Sequence, residues 1–88
     1  MLKINGFDDA ILGPAWIWRD STVVSVLVYD AEQIRTILME RDGMSPEEAR
    51  EYIEFNIEGA YVGRHTPVLV WPHDQYILGD DNDYRRNG

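Results

Sequence analysis

Apolar positions recur with a period of two in the first third of the chain and 3.6 in the middle third, and the elements follow from that switch. The segments "AWIWR" and "TVVSVLVY" alternate and are rich in aromatic and β-branched residues, which predicts strands over 15–19 and 22–29. Asp20-Ser21 between them predicts a turn, so the two strands read as a hairpin. In the second strand Val24, Val26 and Val28 share one face while Val23, Leu27 and Tyr29 share the other. Apolar residues on both faces predict a central strand.

From Asp30 the period is helical. Asp30 is placed as an N-cap with Gln33 three residues on, and Tyr29 and Ile34 are spaced for a hydrophobic staple. Ala31, Ile34, Ile37, Leu38 and the stem of Arg41 form an apolar stripe that Gly43 terminates, giving a helix over 31–42. Ser45, Pro46 and Glu48 then spell a second capping box, with Met44 and Ala49 as its staple. The second helix is expected over 46–58, ended by Gly59 as Gly43 ends the first. Its apolar face is Ala49, Tyr52, Ile53, Asn56, Ile57 and Ala60. Opposite stand Glu47, Glu51, Glu54 and Glu58, within about 60° of one another at helical spacing. Arg50 lies to one side, so this acidic stripe is expected to lack opposite-sign partners.

The remaining elements are shorter. "PVLVW" predicts a buried strand over 67–71, and segments 2–4 and 75–78 are further strand candidates. Two antiparallel helices return the chain to the end of the sheet it left, so the strand near 67–71 is expected to run antiparallel to 22–29 unless the 60–66 loop crosses the sheet. The expected architecture is α+β: a small antiparallel sheet with a two-helix hairpin packed on one face. Residues 1–79 read as a single domain and the polar run 80–88 as a flexible tail. Trp16 and Trp18 share one face of their strand. On a sheet face that the helices leave open they form a partner-binding aromatic patch, and against the helices they are core.

Composition narrows the function classes. Eighty-eight residues allow one modest core. The absence of cysteine removes disulfides and thiolate metal sites. No window approaches the roughly 20 apolar residues of a membrane span, and the N-terminal residues lack a signal-peptide pattern, so the expected location is cytoplasmic. Sixteen acids against eight bases give a net charge of −8, which argues against direct nucleic-acid binding and, where it does more than confer solubility, permits a partner with a basic surface.

Candidate chemistry is sparse. Asp8 and Asp9 precede an apolar stretch, where one of them caps a short helix at 10–12, or the pair joins Asp30 as the ligands of a small metal-dependent enzyme. Asn56 is the polar member of an apolar face and is expected to bond loop backbone near Tyr61 to Gly63, or else to meet a ligand. His65 and His73 match no zinc spacing. "DDNDYRRNG" lacks the glycine and closing glutamate of a calcium loop, and "GAYVG" follows a helix rather than opening one. No nucleophile–base pair stands at a recognisable spacing, and no cofactor is implied.

The strings "GFDDAILG", "VYD" and "ILMERDGMSPEEAREYIEFNIEGAYVGRHTPVLV" resemble a set of small, functionally unassigned proteins of tailed bacteriophages. The likeness spans most of residues 6–71. It implies a phage-encoded accessory protein acting in the host cytoplasm, and it carries over no catalytic residue. Three functions are expected in order: interaction with a host or phage protein through the four glutamates and the tryptophans, in its sharpest form with the acidic helix face imitating nucleic-acid charge; then homo-oligomerisation through the aromatic sheet face; then a small metal-dependent enzyme using Asp8, Asp9 and Asp30.

Overall fold

The computed structural model describes residues 1–72. A 3-10 turn at Asp8–Ala10 leads into strand β1 (Ile11–Arg19) and then β2 (Thr22–Asp30). Helix α1 (Ala31–Asp42) and helix α2 (Pro46–Ile53) follow, α2 continuing as a π turn over Glu54–Glu58, and strand β3 (Val68–Val70) closes the fold. This is the expected α+β class. The candidate strand at 75–78, the tail at 80–88 and His73 lie outside the described residues. Residues 2–4 form no strand; the backbone N–H of Ile4 instead donates to the Tyr29 hydroxyl at 2.8 Å.

The hairpin forms because its turn closes in two residues. Asp20 and Ser21 both take left-handed φ values, +52° and +64°, which match the twist of paired strands. β1 starts earlier than the alternation suggested, and Pro14 is accommodated because β1 is an edge strand in the order β1-β2-β3. A bulge at Leu12 breaks the register between Ile11 and Gly13. Ile11 thereby pairs with Tyr29 and packs on its side of the sheet, against the core.

The sheet is mixed rather than antiparallel. β3 runs parallel to β2, pairing Val28 with Val68, Tyr29 with Leu69 and Asp30 with Val70. The reason lies in the connection after α2, which travels along the sheet before β3 begins. Arg19, near the hairpin turn, donates through Nη1 to the carbonyls of Arg64 and Thr66, both at 2.9 Å. His65 Nδ1 lies 2.8 Å from the Ser25 carbonyl. With residues 64–66 held beside the middle of β2, the chain must turn back, and it enters the sheet in the direction of β2.

Both helices begin as their caps dictate. Asp30 accepts from the Gln33 N–H at 3.2 Å, and Ser45 and Glu48 exchange bonds of 3.1 and 2.9 Å in a complete capping box. Gly43 ends α1 at φ +72°, where its N–H and that of Met44 close on the carbonyls of Met39 and Leu38. Gly59 does not repeat this role. Its φ is −79°, and its N–H bonds the Glu54 carbonyl five residues back, so the helix widens rather than stopping in a left-handed residue.

The core gathers Phe7, Ala10, Tyr29, Ile34, Leu38, Ala49 and Ile53, with Ile11, Leu27 and Leu69 packed against it from the sheet. Burying a side chain such as Ile34, Leu38 or Ile53 contributes roughly 1.5–3 kcal/mol. Arg41 reaches from the last turn of α1 to the N-terminal segment. Its guanidinium bonds the Gly6 carbonyl at 3.0 Å, lies 5.0 Å from the Phe7 ring centre, and makes paired contacts of 3.1 and 3.2 Å with Asp42. Donating to the Asp42 carboxylate raises the guanidinium pKa above its ordinary value.

Candidate interaction surface

Opposed residues in an antiparallel pair point to the same face. The register places Pro14 opposite Leu27, Trp16 opposite Ser25 and Trp18 opposite Val23. Trp16 and Trp18 therefore share the face that carries Leu27 and Tyr29. The helices cover that face only at the Tyr29 end, since neither indole nor Val23 belongs to the core or packs against it. Toward the hairpin turn the face is open: Trp16 is 68% exposed and Trp18 73%, beside an exposed Val23. The opposite face, with Val24 and Val26, is buried. Burial thus splits the two alternatives for the tryptophans: they are surface, yet they extend the core face.

Trp71 differs from both. Its indole N–H donates to Glu58 at 2.9 Å and the Arg50 guanidinium lies 4.2 Å over its ring. It packs against the core just beyond β3.

All four glutamates of the expected stripe are exposed. They are not uniformly unpartnered, which corrects the sequence expectation. Arg50 Nε meets Glu54 at 3.4 Å, because i to i+4 spacing on the helix brings the arginine back to the stripe. Glu58 is engaged by Trp71. Among the described residues no ion pair holds Glu47 or Glu51, so the free charge concentrates on the first two turns of α2. Glu54 and Glu58 bound the π turn, whereas Glu47 and Glu51 lie on the regular helix.

The predicted apolar face of α2 is narrower than expected. Ala49 and Ile53 are buried and Ile57 packs on the core, whereas Tyr52, Asn56 and Ala60 are exposed. Asn56 does not bond the 61–63 backbone. Its amide donates to the Tyr52 carbonyl one turn back, at 3.2 Å. The loop is instead organised by Thr66, whose buried hydroxyl accepts from the Val62 N–H at 2.9 Å and donates to the Gly63 carbonyl at 2.6 Å.

Asp8, Asp9 and Asp30 do not gather into a group of three ligands among the described residues. Asp8 and Asp9 occupy the 3-10 turn, and no side chain caps it, so the capping expectation fails. The turn is followed at once by β1, leaving no helix at 10–12 to cap. Asp8 pairs with Lys3 at 3.1 Å, and Asp30 is committed to its cap. Among the described residues no group of three or more histidines or carboxylates is arranged to hold a metal ion. Among those residues, too, no helix is long and apolar enough to cross a membrane.

Sequence reasoning missed three features of the surface. Val23 joins the tryptophans through a cross-strand pairing that only the register reveals. Phe55, exposed on the π turn, was visible as an aromatic residue off the apolar stripe. A cleft of about 390 Å³ lies between the N-terminal segment and the 60–69 region, lined chiefly by Leu2, Ile4, Ile57, Val62, Pro67 and Leu69. It depends on contacts between distant segments that no local pattern encodes. No protein-family model, curated protein or solved structure matches this chain.

Proposed function

We propose that this chain is a small acidic accessory protein, of phage origin and acting in the host cytoplasm, that works by protein–protein interaction. The observation that carries the reading is the exposure of Trp16 and Trp18 on a regular strand, beside Val23 and in register with the core face. Aromatic residues held rigidly on strands lose little conformational entropy on binding and make effective anchors. Single exposed apolar residues are ordinary, but a contiguous aromatic patch on a protein otherwise rich in charge marks a docking surface.

The net charge of −8 sets the sign of the encounter. Glu47 and Glu51, at the start of α2, favour a partner with a basic surface and affect association rate more than final affinity. Hydrolytic or metal chemistry has no comparable support, because Asp8 and Asp30 already have structural partners.

Affinity capture from infected host cells tests the reading when wild type is run beside W16T/W18T and E47K/E51K. A specific partner retained by wild type should be lost with the tryptophan pair and weakened with the charge reversal. Full retention of that partner by folded W16T/W18T protein would reject the aromatic face as the docking surface.

A further inference from the structure

We infer that the first occupant of the aromatic hairpin face is a second copy of this chain, packed face to face about a two-fold axis. The inference rests on the reading of that face as a docking surface. Three observations select this occupant.

The first is charge. From Ile11 to Trp18 and from Thr22 to Tyr29 the hairpin carries no ionisable acid or base, apart from the phenol of Tyr29 in the core. The face built from Leu27, Ser25, Val23, Pro14, Trp16 and Trp18 is therefore neutral. The acids of the helices and termini make other approaches between two copies repulsive, each chain holding −8. The neutral hairpin lets identical chains meet without opposing charges.

The second is strand chemistry. β1 is an edge strand, and edge pairing is the usual route by which such a hairpin recruits a copy. Pro14 stands within β1 with no N–H to give, so a continuous ladder along that edge is interrupted. Within the hairpin, whose other side is paired to β3, the face is the surface left to self-associate.

The third is area. Two indoles exposed to this degree present on the order of 300 Å² per copy. With Val23 beside them, a symmetric contact buries roughly 750 Å² in total, in the range of weak, transient contacts. That extent fits a dimer that forms and separates with concentration rather than an obligate one. A partner that docks on the indoles therefore displaces the second copy instead of adding to it.

Sedimentation equilibrium from about 5 to about 500 µM tests this on the full chain. The weight-average mass should rise from 10.2 kDa toward twice that value. The transition should move to lower protein concentration as salt screens the repulsion between copies. W16T/W18T, checked for its fold by circular dichroism, should stay at 10.2 kDa throughout. A wild type that remains at 10.2 kDa across the range overturns the dimer, as does a folded W16T/W18T that associates equally well. In the first case, loss of a captured cellular protein by W16T/W18T would still leave the docking face standing with a different occupant. In the second, retention of that protein by the same variant would remove the face altogether.

Discussion

Tyr29 joins two parts of the molecule through one side chain. Its ring is fully buried at the centre of the core, and its hydroxyl accepts the Ile4 N–H at 2.8 Å, fixing the N-terminal segment over the sheet. Tyr29→Phe keeps the packing and removes the acceptor, leaving a partly buried backbone donor with no partner. Urea unfolding should show a loss of about 1–2 kcal/mol, with little change in the slope. Much of the residue scale was legible beforehand. Asp30, Ser45, Glu48 and Gly43 act within one turn of themselves, so sequence neighbours decide what they do. Asn56 was placed wrongly because its amide had two reachable acceptors. The local Tyr52 carbonyl prevailed over the distant loop backbone.

Element boundaries followed the same division between local and distant causes. The two-residue turn at Asp20-Ser21 was readable from composition, but its left-handed geometry strains Ser21 at φ +64°. Ser21→Gly relieves that strain and supplies the Asp-Gly pair such turns favour. Thermal unfolding should show a gain of about 1 kcal/mol and a correspondingly higher Tm. The direction of β3 was not readable. It depends on bonds from Arg19 to the Arg64 and Thr66 carbonyls, more than forty residues along the chain, and these drag the connection down the sheet before it turns. The π turn escaped notice for a related reason. The widening is seen where the Gly59 N–H reaches the Glu54 carbonyl five residues back, a bond that no spacing of apolar and polar residues along the helix encodes.

At the scale of the whole molecule, two helices cover one end of a long hairpin's apolar face and leave the other end bare. Alternation along β1 put Trp16 and Trp18 on a common face from the outset. It could not say how far the helices extend over that face, since this depends on their angle and on the bulge that turns Ile11 toward Tyr29. The acidic helix face survives in reduced form, with Glu47 and Glu51 free of ion pairs among the described residues and Glu54 tied to Arg50. Shape and charge therefore divide the surface into a neutral aromatic region and an acidic region, the division that the proposed docking and steering require.

As docking residues, Trp16 and Trp18 should add little to the folding of the single chain. Urea unfolding of W16T/W18T, at a protein concentration low enough to keep both proteins monomeric, tests it most directly. Threonine preserves strand propensity, so only the indole contacts are lost. The combined destabilisation should be no more than about 1 kcal/mol, the scale of a lost cross-strand contact. A loss of about 3 kcal/mol or more for either tryptophan alone, the scale of an aromatic residue cut from a packed core, would contradict it.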